Sequence, residues 1–140
     1  MMHRSVHLLV FNRRGEVLLQ KRSLNKDTYP GTWDSTVSGH LDSGESYDQC
    51  VIRESSEEMG IEFEKVPERM FKIEACEKTG HEFSHIYRHY SEGPFHPNKD
   101  EISDIKWFSE ESLEESPLND SKVFSPAFSL IWSILTSDYA

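Results

Sequence analysis

The segment from Gly39 to Ile61 constrains this chain most, because it places several glutamates at helical spacing. Ser46 has the character of a helix N-cap, and Gln49 three residues later completes a capping box. Gly60 provides the left-handed position that commonly ends a helix. The sequence therefore predicts a helix from Ser46 to about Met59.

Three acidic side chains of this predicted helix share one face. Glu54, Glu57 and Glu58 stand at i, i+3 and i+4, where Cβ atoms lie about 5–6 Å apart. Like charges at this spacing oppose helix formation by roughly 0.2–0.5 kcal/mol per pair. A divalent cation removes that repulsion, since Mg²⁺ (or Mn²⁺) prefers carboxylate oxygens. The alternative is a solvated acidic face with Arg53 as a counter-charge.

The spacing of the surrounding residues favours the metal site. The fixed positions, separated by five, seven, two and one residues, are Gly39, Glu45, Arg53-Glu54, Glu57-Glu58 and Gly60-Ile61. This pattern resembles the signature of the Nudix family, except that Ser55 stands where the family usually has an aliphatic residue. The resemblance implies one α/β domain over residues 1–140, with a mixed β-sheet sandwiched between helices (α/β/α). We expect Ser55 to face the sheet at a small loss of packing.

The resemblance also implies roles for individual residues. The implied metal ligands, direct or through water, are the Gly39 carbonyl, Glu54, Glu57 and Glu58. Arg53 would orient the glutamates by charge-assisted hydrogen bonds, and Glu45 would tie the preceding loop to the helix. The catalytic base varies between branches of the family, and the candidates here are Glu57, Glu82 and Glu101.

A second resemblance, over residues 8–46, 100–108 and 123–132, is to the branch that contains isopentenyl-diphosphate isomerase. Ser38 stands where that enzyme has a catalytic cysteine, and a hydroxyl is a far weaker acid than a thiol. The positions that match its metal ligands are His3, His40 and Glu82. Gly80 replaces a further glutamate, and another histidine would lie before Met1. The branch therefore implies a diphosphate-bearing ligand, while these changes argue against isomerisation.

Two basic residues precede the glutamate-rich segment. Arg22 and Lys26 lie on the predicted approach to the site, where a guanidinium and an ammonium group could neutralise phosphate charge. The alternative is that they are ordinary surface cations at a strand end and in a loop. We expect both to contact the diphosphate.

Composition limits the function classes. The chain of 140 residues is 36% hydrophobic and 29% charged, which fits one globular domain. A net charge of −10 disfavours binding to a nucleic acid polymer or an anionic membrane surface. We find no apolar run long enough to cross a bilayer and no signal peptide. The two cysteines follow no metal or redox spacing, so a cytoplasmic setting is predicted.

Hydrophobic patterning predicts the remaining elements. The predicted strands are Val6–Phe11, Val17–Leu19, Trp33–Leu41 with a bend at Gly39, Met70–Cys76, Phe83–Tyr90 and Ile102–Phe108. Residues 110–120 predict a solvated helix or loop, and Val123–Leu135 an amphipathic helix. His81, His85 and His89 would share one face of a strand without converging, which disfavours a zinc site.

These observations predict a Mg²⁺-dependent hydrolase that cleaves a diphosphate linkage in a nucleoside diphosphate derivative or another organic diphosphate. One alternative is an isopentenyl-diphosphate isomerase-like enzyme. Another is a non-catalytic nucleotide-binding module, although the complete set of Glu54, Glu57 and Glu58 favours an enzyme. A homodimer fits the family resemblance. The organic group and the identity of the base stay open at this point.

Overall fold

The computed structural model describes residues 3–138. Within this range seven strands form one sheet. The strands are β1 (His3–Phe11), β2 (Val17–Arg22), β3 (Trp33–Asp34), β4 (Val37–His40), β5 (Glu68–Ile73), β6 (Glu82–Tyr90) and β7 (Ile102–Phe108). The helices are α1 (Tyr47–Met59), α2 (Glu110–Glu114) and α3 (Pro126–Asp138), with a 3₁₀ turn at Glu77–Thr79. None of these helices is long and apolar enough to cross a membrane.

Strand β1 lies at the centre of the sheet. It pairs in parallel with β6 from His3↔Glu82 to Phe11↔Tyr90. It pairs antiparallel with β2 at one end and with β4 at the other. Strands β3 and β7 both pair with β2, and β5 covers the outer edge of β6. The sheet is therefore mixed, and the ends of β1 and β4 bring distant segments together.

Helices cover both faces of the sheet, because successive residues of β1 point to opposite sides. Leu9 belongs to a buried cluster with residues of α3, such as Phe128 and Ile131. Leu8 belongs to a second cluster with residues of α1, such as Val51. This arrangement confirms the predicted α/β/α architecture with a mixed sheet.

Helix α1 has the ends that the sequence predicts. The Ser46 hydroxyl accepts a hydrogen bond from the Gln49 backbone N–H, and the Gln49 side chain caps the Ser46 N–H in return. Gly60 has a φ of 66°, in the left-handed region, and ends the helix. Local chemistry alone fixes these ends.

The predicted continuous strand from Trp33 to Leu41 is wrong in one respect. The segment forms two strands, β3 and β4, separated by Ser35 and Thr36. The chain leaves its pairing with β2 here and joins β1. Thr36 bridges those two strands, since its hydroxyl accepts from the Val10 N–H and donates to the Leu18 carbonyl.

The closing helix begins at Pro126 rather than at Val123. The preceding backbone bonds to β3 instead, with Trp33 N–H donating to the Val123 carbonyl at 2.8 Å. The Ser125 hydroxyl then accepts from the Phe128 N–H at 3.2 Å, as an N-cap residue does. Pro126 suits the first helical position, where no N–H is needed.

Candidate active site

A cavity of about 540 Å³ opens where α1, β4 and the start of α3 meet the sheet. Its wall includes two of the predicted glutamates, Glu54 and Glu58, and the backbone at Gly39. The strand β1 contributes Ser5 and His7. The geometry of this cavity therefore brings the glutamate-rich helix together with the centre of the sheet.

Glu58 is a buried carboxyl group in the cavity wall, with only 4% of its surface exposed. Its Oε1 accepts hydrogen bonds from Gln20 Nε2 at 2.8 Å and, more weakly, from the Ser38 N–H at 3.4 Å. Burial and then the neighbouring Glu54 carboxyl raise the pKa of Glu58 well above its usual range. The donors to the Glu58 carboxyl group are therefore neutral, and a second carboxyl group lies beside it.

Gly39 lies directly against Glu54. A Cβ added at Gly39 would overlap the side chain of Glu54, so a larger residue would displace the carboxylate from its present position. Strand β4 and helix α1 therefore approach closely at this point. The glycine leaves its backbone open to the same space as the carboxylate.

Arg53 is the cation beside this pair, and it holds the outer side of the helix. Its guanidinium donates to Glu45 Oε2 at 2.8 Å, to Glu54 Oε1 at 2.5 Å and to Glu57 Oε2 at 3.1 Å. It also donates to the His40 carbonyl at 3.1 Å. The hydrogen bond from Arg53 lowers the pKa of Glu45 to about 2. Arg53 therefore ties the loop before α1 to the helix through Glu45.

Most predicted site residues line this cavity, but two do not. The lining residues among them are Arg22, Lys26, Gly39, Glu54, Glu58, Glu82 and Glu101. Arg53 and Glu57 lie outside it, and 58% of the Glu57 side chain is exposed beside Arg53. In this arrangement Glu57 does not join Glu54 and Glu58.

The predicted phosphate-binding cations have internal partners. Arg22 Nη1 lies 3.3 Å from Asp34 Oδ2, and Lys26 Nζ lies 3.5 Å from Glu101 Oε1. Lys26 and Glu101 thus pair with each other at the rim. Exchange of Glu101 for a phosphate at Lys26 costs little, because exposed ion pairs contribute only about 0–1 kcal/mol. The Arg22–Asp34 pair is more enclosed, so its exchange leaves the buried Asp34 in need of another donor.

Glu82, another predicted site residue, pairs with His40 across the cavity wall. The hydrogen bond that His40 donates to the Glu82 carboxylate raises the pKa of His40, although burial opposes this. His40 and Glu82 come from β4 and β6, the two strands that flank β1. Their pairing leaves the carboxylate of Glu82 at the cavity surface.

Several lining residues escaped the sequence analysis. Gln20, His7 and Asp34 are buried polar residues on strands, and each faces the cavity. Burial lowers the pKa of His7, and its Nδ1 lies 2.9 Å from Ser35 Oγ. The available signal was a polar residue inside an apolar strand, such as Gln20 in β2. A buried polar group in a cavity wall is a common feature of binding sites.

The Glu54 and Glu58 carboxyl groups fit a magnesium ion. They are adjacent oxygen donors beside the backbone of Gly39, and of the two only Glu54 has a cation of the described structure, Arg53, in contact, whereas the donors to Glu58 are neutral. Within residues 3–138, no three His, Cys, Asp or Glu side chains converge to hold a metal together. Magnesium often uses one or two carboxylates, with waters and substrate phosphates completing its shell.

The histidines of β6 pack against aromatic rings. His85 stacks on Tyr47 with ring centroids 3.5 Å apart, and His89 meets Phe63 edge-on at 4.8 Å. Burial lowers the pKa of His85 to about 4. These contacts give the two rings a packing role on the α1 side of the sheet.

Comparisons with known proteins agree on the family. The NUDIX domain profile matches residues 1–128. An uncharacterised Nudix hydrolase of Yersinia pestis is 34% identical over 114 residues, which cover 79% of this chain and 60% of the relative. The isopentenyl-diphosphate Delta-isomerase of Paenarthrobacter aurescens is 30% identical over 130 residues, covering 89% and 71%. The chain thus spans about three fifths of the Yersinia relative's length.

Solved structures share the fold. A crystal structure from Deinococcus radiodurans has a TM-score of 0.82 at 23% identity, covering 94% of this chain and 82% of the other. The NUDIX domain of NrtR from Shewanella oneidensis, in complex with ADP ribose, has a TM-score of 0.69 at 19% identity, covering 97% and 88%. With the glutamate-rich helix, the mixed sheet and the profile match, the chain belongs to the Nudix family.

Proposed function

We propose that this protein is a Mg²⁺-dependent hydrolase that cleaves a diphosphate linkage in a nucleoside diphosphate derivative or another organic diphosphate. The observation that carries the proposal is the adjacent pair of Glu54 and the buried Glu58, which shares one cavity with Arg22 and Lys26. Carboxylates that hold a cation and basic groups that contact phosphate are the two requirements of such a reaction. The family supports the hydrolase class.

Each site residue has a separate role in the proposed reaction. Glu54, Glu58 and the Gly39 carbonyl would hold the magnesium ion. When bound, this ion supplies positive charge to the phosphoryl oxygens and favours ionisation of water. Arg22 and Lys26 would bind the diphosphate, each after exchange of an acidic partner. Arg53 holds Glu54 and the loop at Glu45 in position.

The reaction adds water across the P–O–P linkage. A water oxygen forms a bond to one phosphorus, the bridging oxygen leaves with the other phosphoryl group, and a base takes the water proton. Of the candidate bases, Glu82 is the most enclosed, with 20% of its side chain exposed. Glu101 lies at the rim with 43% exposed, and Glu57 lies outside the cavity with 58% exposed. The pairing of Glu82 with His40 would fix the direction of the carboxylate.

The test is release of phosphate or nucleotide from a panel of diphosphates, with Mg²⁺ and with a chelator. The panel holds nucleoside di- and triphosphates, ADP-ribose, dinucleotides and isoprenoid diphosphates. We expect metal-dependent turnover of at least one member, reduced at least about 100-fold in Glu54→Gln. Glu57→Gln, Glu82→Gln and Glu101→Gln then separate the three candidate bases, and the exposed Glu64→Gln is the matched control.

An isopentenyl-diphosphate isomerase is the second candidate, favoured by the 30% identity to the Paenarthrobacter enzyme. It predicts exchange of carbon-bound hydrogen in the isoprenoid without phosphate release. Ser38 argues against it, since a serine hydroxyl does not replace a thiol in proton transfer. Tight binding of a panel member that is recovered intact would instead indicate a non-catalytic nucleotide-binding module.

A further inference from the structure

Asp34 is a buried carboxylate in the cavity wall with an uneven set of partners. Only 4% of its surface is exposed. Its Oδ1 accepts short hydrogen bonds from the Ser35 N–H at 2.7 Å and from Ser125 Oγ at 2.9 Å. Its Oδ2 has only long contacts, to Arg22 Nη1 at 3.3 Å and to Ser38 Oγ at 3.5 Å.

The second oxygen of Asp34 therefore has capacity for another donor. Typical hydrogen bonds to oxygen measure about 2.7–3.0 Å, so both Oδ2 contacts are weak. A carboxylate offers about four lone-pair sites, and the two at Oδ1 are already used. If Arg22 turns toward a phosphate, Oδ2 loses one of its two weak partners. A hydroxyl group of a bound molecule would satisfy it.

The rest of the cavity wall adds further hydroxyl groups between its apolar surfaces. Hydroxyl groups come from Ser5, Thr28, Ser38, Thr79 and Ser125. Among the described residues that line the cavity, none is Leu, Ile, Val, Met, Phe or Trp. Tyr29 is the single tyrosine of this wall, and 46% of it is exposed. The described part of the wall therefore lacks the large aliphatic side chains that would enclose a prenyl chain, whereas its hydroxyl groups suit a hydroxylated ligand.

We propose that the organic group of the substrate is compact and hydroxylated, and that Asp34 selects it by accepting a hydrogen bond at Oδ2. This inference rests on the proposed diphosphate hydrolase and adds the class of its organic group. The cavity of about 540 Å³ has room for a diphosphate with a small polyol or sugar-like group. Asp34 is then a specificity-determining residue.

A matched pair of diphosphates tests this selection. Propyl diphosphate and 2,3-dihydroxypropyl diphosphate share one carbon skeleton and differ only in hydroxyl groups. We expect kcat/KM with Mg²⁺ to favour the dihydroxypropyl compound by at least about tenfold. Calorimetry with the methylene-bridged, non-hydrolysable analogues of both should show the same order of affinity, independently of turnover.

Asp34→Asn separates the role of Oδ2 from the structural role of Oδ1. The Ser35 N–H and the Ser125 hydroxyl both donate to Oδ1, so the asparagine carbonyl must take that place. Its NH₂ group then replaces the Oδ2 acceptor with a donor. We expect the preference to fall to within about threefold. A changed position of Arg22 affects both compounds alike and cancels in the ratio. Asp104→Asn is the matched control and should keep the wild-type preference, because Asp104 is exposed outside the cavity and likewise accepts a hydrogen bond from the next backbone N–H.

The outcomes distinguish this inference from the proposed function. Metal-dependent hydrolysis of both compounds at equal rates would overturn the inference and leave the hydrolase intact. So would a tenfold preference for propyl diphosphate or for ADP. A preference that persists in Asp34→Asn would overturn the assignment to this residue. Selective binding of the dihydroxypropyl analogue without any hydrolysis would support the inference on recognition and overturn the hydrolase.

Discussion

The β3–β4 segment and helix α1 both bury polar side chains, but they satisfy them differently. In the first region, Ser35 bonds to His7, and Thr36 bonds to the backbones of β1 and β2. In the second, Ser55 Oγ has no hydrogen-bond partner among the described residues. Glu58, one turn further on, lies beside another carboxyl group. The hydroxyl groups of Ser35 and Thr36 are thus satisfied within the fold, whereas Ser55 and Glu58 of the helix are not.

The two unsatisfied side chains of α1, Ser55 and Glu58, differ in their position relative to the cavity. Glu58 faces the cavity, so a cation from outside can complete its interactions. Ser55 is fully buried and does not line the cavity, so nothing from outside can reach it. An unsatisfied buried group costs stability in either place. Only the one that faces the cavity has a functional reason to persist.

The largest expected effect is that of Glu58→Gln. The amide keeps the shape of the side chain and removes the charge that would hold Mg²⁺. We expect diphosphate hydrolysis to fall at least about 100-fold. The free energy of unfolding without metal should stay unchanged or rise, because a carboxyl group no longer has to be buried beside Glu54. Urea denaturation and initial rates measure the two quantities.

Metal-linked stability provides the control for this variant. Mg²⁺ at about 100 times its dissociation constant should stabilise the wild-type protein by about 2.7 kcal/mol and raise its Tm. Glu58→Gln should lose this increase, and the exposed Glu64→Gln should keep it. If Glu58→Gln unfolds at a lower urea concentration than wild type without metal, Glu58 stabilises the fold, as Ser35 and Thr36 do.

The next largest effect concerns Thr36, between β3 and β4. Thr36→Val keeps the volume of the side chain but leaves the Val10 N–H and the Leu18 carbonyl without their buried partner. We expect the free energy of unfolding to fall by about 1–3 kcal/mol. Thr136→Val, on the partly exposed last turns of α3, should stay within about 0.5 kcal/mol of wild type. Equal effects of the two substitutions would contradict the bridging role of Thr36.

The smallest effect concerns Ser55. Ser55→Ala removes a buried hydroxyl that has no partner in the described structure. We expect the protein to gain about 1 kcal/mol of stability, with kcat/KM unchanged. The neighbouring Ser56→Ala, whose hydroxyl bonds to Glu62 near the surface, is the matched control. Lower stability in Ser55→Ala would show that the Ser55 hydroxyl makes a stabilising hydrogen bond, and would contradict its description as an unsatisfied group.

Helix α1 was predictable from the sequence because its determinants are local. The cap at Ser46, the stop at Gly60 and the spacing of Glu54 and Glu58 all lie within one short segment. The direction of Glu57 was not predictable, because it depends on the reach of Arg53. Ser55 was expected to face the sheet, and it is buried there.

The β3–β4 segment was less predictable because its determinants are distant in the chain. Its break at Ser35 depends on the exchange of β2 for β1 as pairing partner. Asp34 is held in the cavity wall by the pairing of β3 with β2 and by a hydrogen bond from Ser125, 91 residues away. A single polar residue beside a tryptophan carries no signal of that contact. Non-local partners thus hide part of the site from sequence analysis.

The destination of the water oxygen atom decides whether this protein hydrolyses a diphosphate linkage. A substrate from the panel is turned over in H₂¹⁸O with Mg²⁺, and the products are examined by mass spectrometry and ³¹P NMR. For hydrolysis, we expect one ¹⁸O atom in one phosphoryl product per cleavage, and we expect Glu58→Gln to lose this signal. Recovery of the intact diphosphate without ¹⁸O, accompanied in D₂O by deuterium on the carbon atoms of isopentenyl diphosphate, would contradict hydrolysis.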